Sequence, residues 1–383
     1  MTETIEAVVA GHICLDIIPV LHDRHVGFRP GQLVEIGPAV VSTGGPVSNT
    51  GLALHILGIR TRLMGKTGDD AFGHAVREIV AAHGAELANG MAVVAGEHTS
   101  YTVILSPPGA DRMFLHCPGC NDTFRAEDVD YAMLGRARLF HFGYPPLLRR
   151  LIEDNGRELV ELLRRAKATG VTVSLDMCMP DPEGFSGSVD WPGILADALP
   201  FVDIFLPSLD ETLFTLEPAG RRRREESSAA PVTAELLDSV SGRLLSLGPG
   251  IVGLKLGEAG FYLRTAQSVV TPLLAGDDWS GRQIWAPCFE AEVVGTTGAG
   301  DAAIAGFLAG CLRGLGPEEC LTAATAAGAC NVEAADALGG IRPWEETMQR
   351  ARAGWLRKSL PADPPQWRRD PASGIWHGPA DRY

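Results

Sequence analysis

The stretch VVGTTGAGDAAIAGFLAG, from Val293 to Gly310, determines how the rest of the sequence is interpreted. A lone acidic residue, Asp301, directly follows the small residues Gly298, Ala299 and Gly300. The apolar residues that follow have helical spacing and predict a buried helix that begins at or just before Asp301; they are Ile304, Phe307, Leu308, Cys311, Leu312 and Leu315. Because the first turn of a helix has unpaired N–H groups, residues 298–300 are expected to bind an anion, above all a phosphate.

Three interpretations compete for the acidic residue in this loop. Asp301 could simply cap the helix, which stabilises it by about 0.3–1 kcal/mol. Gly298-x-Gly300-x-x-Ala303 also matches the dinucleotide-binding fingerprint. However, the loop lies near the C-terminus, an Ala-rich segment follows it, and a carboxylate would repel a permanently bound pyrophosphate. A carboxylate is useful where a phosphoryl group is transferred, since Asp301 could remove the proton of an attacking hydroxyl while the amides stabilise the charge.

The bulk composition restricts the partners. The chain has 383 residues, a hydrophobic fraction of 45% and a formal net charge of −14. A strongly acidic chain disfavours nucleic acids and anionic membranes as partners. The acidic N-terminus does not resemble a signal peptide, and no apolar run is long enough to span a membrane, so a cytoplasmic location is expected. Cys117 and Cys120 have metal-site spacing, but without a second pair we interpret them as ordinary loop cysteines.

Short β-type segments alternate with helical ones, which predicts an α/β fold with a mostly parallel sheet between helices. The segment Ala7–Ile18 is predicted as the first strand, a helix is expected to begin near Asn49, and residues 157–170 form an amphipathic helix. Residues 19–42 and 92–118 contain further β-type runs and are expected to project as a small lid. Residues 361–383 form a Pro- and Trp-containing tail beyond a domain of residues 1–360, and 218–231, with Arg221–Arg224, form an exposed loop.

Two motifs resemble the signatures of one family. TTGAGDAAIAGFLAG is similar to the C-terminal signature of the ribokinase-like (PfkB) carbohydrate kinases, and STGGPVSNTGLALHILG to their N-terminal signature. The similarity extends from about Ile5 to about Pro343. It implies a three-layer α/β sandwich with a β-sheet lid, and the ATP- and Mg²⁺-dependent phosphorylation of a hydroxymethyl group. The Gly298–Gly300 amides and Asp301 would then be the catalytic elements.

The resemblance also implies roles for residues that would hold the acceptor. Asp16, at the end of the first strand, corresponds to the family's acceptor of substrate hydrogen bonds. Gly44 and Gly45 would let the main chain approach the sugar, and Asn49 and Asn121 would bind it. A turn or a helix cap remains the structural alternative for each of these positions.

On the nucleotide side, Glu211 corresponds to the glutamate that organises Mg²⁺ through water, while Ser208 replaces the asparagine usual in that element. Residues matching nucleotide-binding positions are Lys255, where threonine is common, and Gly257, Gly260, Thr297 and Asn331. Gly295 replaces an aspartate that helps relatives to bind a monovalent cation, which makes activation by K⁺ doubtful.

We therefore predict an ATP-dependent kinase of a sugar or sugar-like alcohol. A nucleoside kinase is an alternative, for which an aromatic lid residue such as Phe28 or Tyr101 would stack on the base. A non-catalytic sugar- or nucleotide-binding regulator of the same fold is a further alternative. The oligomeric state stays open, with a lid-mediated homodimer as one option.

Overall fold

The computed structural model describes residues 5–21, 30–107, 113–217, 232–274, 277–360 and 363–382. The loop with Arg221–Arg224 and the lid candidate Phe28 lie outside these residues, so the interpretations of both remain predictions.

A ten-stranded sheet forms the centre of the molecule, with strand order β15-β16-β14-β13-β12-β11-β10-β9-β1-β4. Its strands are β1 (Ile5–Gly11), β4 (Thr61–Met64), β9 (Ala137–Gly143), β10 (Thr172–Leu175), β11 (Ile204–Phe205), β12 (Ile251–Lys255), β13 (Phe261–Thr265), β14 (Gln283–Ala286), β15 (Arg368–Arg369) and β16 (Trp376–His377). Six strands, β12, β11, β10, β9, β1 and β4, are parallel to one another. The strands β13, β14, β16 and β15 continue the sheet beyond β12, and each pairs antiparallel to the strand before it. The predicted, mostly parallel α/β sheet is thus confirmed.

Helices cover both faces of this sheet. The longer ones are α1 (Pro46–Ile56), α2 (Ala71–His83), α5 (Arg157–Ala168), α7 (Trp191–Ala198), α8 (Leu209–Leu216), α9 (Ala234–Leu245), α10 (Ala299–Leu312), α11 (Pro317–Asn331) and α12 (Trp344–Arg352). Single turns form α3 (Tyr131–Leu134), α4 (Arg149–Ile152) and α6 (Phe185–Ser188). Alternate residues of β1 enter two separate apolar cores, Val8 with α5 and α7, and Val9 with α1 and α10. The two cores define a three-layer sandwich, as the alternating sequence pattern predicted.

A second, smaller sheet has four strands, in the order β3-β2-β7-β8. Its strands are β2 (Cys14–Pro19), β3 (Ala39–Gly44), β7 (Tyr101–Leu105) and β8 (Met113–Cys117). Two short strands, β5 (Lys66–Gly68) and β6 (Ala92–Val94), pair separately beside it. Residues 39–42 of the first predicted lid segment, and β7 and β8 of the second, lie in this smaller sheet. Its action as a lid stays a prediction.

Three predicted boundaries are wrong. The segment Ala7–Ile18 is two strands in different sheets, because the chain turns at Gly11, whose φ of +125° favours glycine. Residues 32–37 form no strand, although their composition is β-like. The helix expected near Asn49 begins earlier, at Pro46, where the fixed φ of proline suits the first helical turn.

The C-terminal tail completes the central sheet. Strand β16 pairs with β14, and the Trp367 ring packs against the rings of Tyr262 and Trp285. Asp381 binds the guanidinium of Arg282, which is buried. Composition alone did not reveal strands in this segment, since each is only two residues long.

Candidate active site

The N-terminus of α10 is built as an open cradle of main-chain nitrogens. Gly298 caps the helix with a φ of +73°, and a side chain there would lie 2.7 Å from Ala337 Cβ. The Ala299 N–H donates to Thr296 O at 3.3 Å, whereas those of Gly298 and Gly300 donate to no main-chain oxygen in the part of the chain that is described. All three residues are half-buried. The cradle can therefore receive an anion through the amides of Gly298 and Gly300.

The Asp301 carboxylate lies at this helix start and is only 3% exposed. Asn49 Nδ2 donates to its Oδ2 at 3.0 Å, and Thr50 Oγ1 donates to its Oδ1 at 3.0 Å. Both donors come from α1, so the fold brings the two sequence signatures together although 251 residues separate Thr50 from Asp301. The carboxylate is directed away from its own helix and towards α1, which agrees with a role beyond capping.

A third donor to Asp301 was not predicted from the sequence. Tyr144 Oη donates to Asp301 Oδ2 at 3.0 Å. Tyr144 directly follows β9 and has a left-handed backbone with φ +61°, which is uncommon for a residue with a side chain. Its position at the carboxyl end of a parallel strand was the available signal, since ligands of open α/β sheets bind at that edge.

The main chain of the glycine pair lies close to Asp16 and His12. A side chain at Gly44 would lie 2.3 Å from Asp16 Oδ2, and one at Gly45 would lie 2.5 Å from His12 Nδ1. Only glycines allow this close approach of the main chain. Burial raises the pKa of Asp16 to about 6, although hydrogen bonds from Cys14 and Thr102 oppose the shift.

Several buried polar atoms of His12 and of the two predicted acceptor-binding asparagines have no hydrogen-bond partner in the described part of the chain; they are His12 Nδ1 and Nε2, Asn49 Oδ1 and Asn121 Oδ1. Asn121 is held by its Nδ2, which donates to Ile13 O at 2.9 Å. The His12 ring lies 5.4 Å from that of His116 and 6.4 Å from that of Tyr144. Unpaired buried groups carry a free-energy cost of about 1–3 kcal/mol each, which a ligand could relieve.

Beside Gly300 at the α10 start, Lys255 lies close to two carboxylates. Lys255 Nζ lies 2.6 Å from Asp176 Oδ1 and 3.9 Å from Glu211 Oε2, and its stem runs 3.4 Å from where a Gly300 side chain would begin. Burial alone would lower the pKa of Lys255, but Asp176, Glu211 and Asp301 outweigh it and raise it. The lysine is therefore a permanent cation next to the amide cradle. Sequence analysis missed Asp176, which follows β10.

Glu211 and Ser208 form a capping box at the start of α8. Ser208 N–H donates to Glu211 Oε2 at 2.6 Å, and Glu211 N–H donates to Ser208 Oγ at 3.1 Å. Serine thus keeps the local geometry in place of the usual asparagine, and the cap fixes the orientation of the Glu211 carboxylate.

The chemistry of this donor set suits a hydrated magnesium ion. Asp176 Oδ2 is buried and has no hydrogen-bond partner among the described residues. Mg²⁺ prefers carboxylate oxygens and keeps several waters, so it needs few direct ligands. Within residues 5–382 as described, no group of three or more His, Cys, Asp or Glu is arranged to hold a metal directly. The residues present therefore fit Mg²⁺ held through water by Glu211 and Asp176.

Other predicted nucleotide residues have clear structural roles. Gly257 and Gly260, with φ +55° and +99°, form the turn between β12 and β13. Asn331 Nδ2 donates to Ala337 O at 2.7 Å and fixes the loop against which Gly298 packs. Thr297 is half-buried directly before Gly298. Contact of these residues with a nucleotide stays a prediction.

Gly295 occupies the position of the aspartate that is absent from this chain. A side chain there would begin 2.8 Å from Ala334 O and 2.9 Å from Ala335 O. These carbonyls approach the main chain too closely for a carboxylate side chain in this conformation. The departure from the family motif is thus accompanied by a compatible local structure.

Comparisons with known proteins agree with this architecture. The model of the pfkB family of carbohydrate kinases matches residues 4–342. An uncharacterized sugar kinase from Archaeoglobus fulgidus is 29% identical over 270 residues, which are 70% of this chain and 90% of that protein.

Two solved structures share the fold. Arabidopsis thaliana ribokinase, complexed with ribose and ATP, has a TM-score of 0.69 at 20% identity, covering 91% of this chain and 98% of its own. An E. coli protein described as ribokinase II, in complex with ATP and Mg²⁺, has a TM-score of 0.66 at 21% identity, covering 90% and 98%. Since the family match extends over nearly the whole chain, the protein belongs to the pfkB carbohydrate kinases, phosphotransferases with an alcohol group as acceptor.

Proposed function

We propose that the protein transfers the γ-phosphoryl group of ATP to a hydroxymethyl group of a sugar or sugar-like alcohol. The observation that carries the proposal is the position of Asp301, a buried carboxylate at the open N-terminus of α10 that is hydrogen-bonded to Asn49. One group is thus adjacent both to main-chain donors for a phosphoryl group and to a residue expected to bind the acceptor.

In the proposed reaction, Asp301 accepts the proton of the acceptor hydroxyl as its oxygen attacks the γ-phosphorus. The amides of Gly298 and Gly300 stabilise the charge on the phosphoryl oxygens, and Lys255 adds a positive charge beside them. When bound, Mg²⁺ would neutralise phosphate charge. Glu211 and Asp176 would hold it through water.

The acceptor side favours a polyhydroxylated neutral compound. Asp16 Oδ2, Asn49 Oδ1 and Asn121 Oδ1 are all hydrogen-bond acceptors when Asp16 is ionised, and sugar hydroxyls supply the complementary donors. Gly44 and Gly45 hold the main chain close to Asp16 and His12, which restricts the space beside them. The same hydroxymethyl group occurs in nucleosides.

A nucleoside acceptor is less well supported. The Tyr101 ring packs edge-on against Phe72 of α2, with 5.1 Å between ring centres, so it is already engaged on that side of the lid. An aromatic residue that stacks on a base would have to come from elsewhere, for example from Phe28.

An assay of ADP release across sugars, polyols and nucleosides tests the proposal. We expect turnover with at least one neutral sugar or polyol, and Asp301→Asn should lose about 10²- to 10⁴-fold in kcat. Turnover with nucleosides alone would favour the alternative acceptor. Binding in a thermal-shift screen without any turnover would favour a non-catalytic regulator, and full activity of Asp301→Asn would refute the general base.

A lid-mediated homodimer is a second proposal. Val40, Val41 and Leu115, on the outer strands β3 and β8 of the smaller sheet, are each between 50% and 52% exposed. Exposed apolar patches of this kind mark interaction surfaces. Light scattering on the purified protein tests this, and a monomer at all concentrations would refute it.

We also propose a cytoplasmic location. No helix in the described residues is long and apolar enough to cross a membrane.

A further inference from the structure

Tyr144 donates to the Asp301 carboxylate from outside helix α1. Thr50 and Asn49 also donate to Asp301, but both lie in α1 and are 0% and 6% exposed. Tyr144 is half-buried and belongs to the loop after β9. Its phenol donates to Oδ2 at 3.0 Å, as the hydroxyl of an acceptor would have to do. The phenol and the acceptor therefore compete for the same oxygen.

The phenol is well suited to hold this position. Burial and the nearby carboxylates of Asp301 and Asp176 raise the pKa of Tyr144 well above its ordinary value, so the hydroxyl keeps its proton and can only donate to Asp301. The His12 ring stacks against the phenol ring at 6.4 Å. The left-handed backbone of Tyr144 is sparsely populated for such a residue, and strained conformations of this kind concentrate at sites that change state.

A base that activates a sugar hydroxyl can also activate water. With ATP bound and no acceptor present, water at Asp301 would lose its proton to Oδ2 while its oxygen bonds to the γ-phosphorus and the bond to ADP breaks. The products are ADP and inorganic phosphate. A kinase with such a base therefore limits hydrolysis of ATP only if another group is hydrogen-bonded to the carboxylate until the acceptor binds.

We propose that the Tyr144 hydroxyl is a placeholder that keeps water from Asp301 and is displaced by the acceptor hydroxyl. The inference rests on the proposed function, because it takes Asp301 as the general base. Tyr144 is on this view a positioning residue that limits hydrolysis of ATP.

The test is the rate of ADP release without any acceptor. In Tyr144→Phe the ring remains but nothing blocks the carboxylate, so basal hydrolysis should rise roughly 10-fold or more, the size expected for loss of a hydrogen bond to a charged group. Tyr144→Leu should behave likewise, which guards against a folding defect of one variant. Tyr262→Phe is the matched control, since that phenol bonds Ser241 and Gln283 in the opposite core and its loss should leave basal hydrolysis unchanged.

The double variant Tyr144→Phe/Asp301→Asn separates this inference from the proposed function. Loss of the added hydrolysis in the double variant would support the placeholder. Wild-type basal rates in both Tyr144 variants, with ATP binding intact by calorimetry, would overturn it even where Asp301→Asn abolishes phosphorylation of the acceptor. Phosphate found on Tyr144 by mass spectrometry would also overturn it, since the phenol would then be an acceptor itself. An active Asp301→Asn single variant would instead refute the base assignment.

Discussion

Lys255 Nζ lies 2.6 Å from Asp176 Oδ1, and both side chains are removed from solvent, at 12% and 0% exposure. The pair sits beside Gly300, at the mouth of the amide cradle. A buried ion pair adds little net stability, because desolvation offsets the attraction. Its position next to a predicted phosphate site favours a functional role, namely a fixed positive charge where phosphate would bind.

Replacing Lys255 with Met should impair nucleotide use and stability together. We expect kcat/KM for ATP to fall about tenfold or more, since a charged hydrogen bond contributes about 1.5–3 kcal/mol. The free energy of unfolding should fall by about 3–5 kcal/mol, because Asp176 is left buried and unpaired. Steady-state kinetics and urea unfolding measure the two effects.

A second buried lysine provides the control. Lys66 is 5% exposed in its side chain and binds Thr123 and Glu97, away from α10. Lys66→Met should also destabilise the protein, but kcat/KM for ATP should not change. An equal fall of kcat/KM for ATP in both variants would mean that Lys255 acts only through folding.

The sequence identified the fold because its strongest signals are local. The apolar stripe of α10 and the glycines before it predict a helix and its open end from neighbouring residues alone. The alternation of short β-type segments with helical segments likewise predicts the parallel sheet. The short strands β15 and β16 were not predicted because two-residue strands carry no periodic pattern. The tail is held by contacts that depend on the folded sheet, such as those of Trp367 with Tyr262 and Trp285 and that of Asp381 with Arg282.

The site was predicted less completely, for a different physical reason. Asn49 and Asp301 lie in motifs whose local pattern is informative. Tyr144 and Asp176 act through single side chains at the ends of β9 and β10, and their contacts with Asp301 and Lys255 depend on strand order. No local pattern encodes which strands become neighbours.

Adding a methyl group at Gly44 should selectively impair the acceptor site. The new Cβ would lie 2.3 Å from Asp16 Oδ2, so the carboxylate must move. We expect Gly44→Ala to raise KM for the acceptor about tenfold, because the acceptor loses one hydrogen bond to a charged group, and to leave KM for ATP unchanged.

The control is Gly242→Ala, in α9 with open space around it, which should stabilise the protein by about 0.5–1 kcal/mol. Unchanged acceptor kinetics in Gly44→Ala would remove Asp16 from the site.

The activity should depend on pH through Asp16. Its pKa is raised to about 6, so the carboxyl becomes protonated as the pH falls below that value and can no longer accept bonds from two hydroxyls. We expect kcat/KM for the acceptor to fall up to tenfold per pH unit below about 6. Asp16→Asn should have a low kcat/KM for the acceptor at every pH, without a further fall below about pH 6. A wild-type profile that stays flat from pH 5 to 8 would contradict the assignment.

The same shift has a consequence for stability of the free enzyme. Because the folded pKa of about 6 is above the ordinary value of 3.8, the folded state favours the protonated carboxyl. The contribution of Asp16 to stability is therefore full below about pH 4 and is lost as the pH rises to 6, by about 3 kcal/mol. Urea unfolding of the wild type and Asp16→Asn should diverge over that window. Parallel curves would indicate that Asp16 is solvated.

Phosphorylation should proceed without a monovalent cation. Gly295 supplies no carboxylate, and Ala334 O and Ala335 O lie where its side chain would begin. We expect the rates in potassium chloride and in tetramethylammonium chloride of equal ionic strength to agree within about twofold, since Lys255 already provides a fixed charge beside the cradle. A large, saturable activation by K⁺ would show that another group replaces the missing aspartate.

The C-terminal tail should be required for stability and not for the chemistry. Asp381 binds Arg282 through Nε at 2.6 Å and also His377, while Glu318 pairs with the same guanidinium. Asp381→Ala leaves the buried Arg282 with Glu318 as its acidic partner, so we expect a loss of about 1.5–3 kcal/mol in the free energy of unfolding, the size of a lost hydrogen bond between charged groups. At a temperature where the variant is fully folded, kcat should match the wild type, because these residues belong to the sheet edge formed by β14 and β16 and not to the α10 start.

Lys358→Ala is the control, since its partner Glu258 is exposed and such pairs contribute about 0–1 kcal/mol. A fall in kcat at unchanged stability would instead connect the tail to the active site.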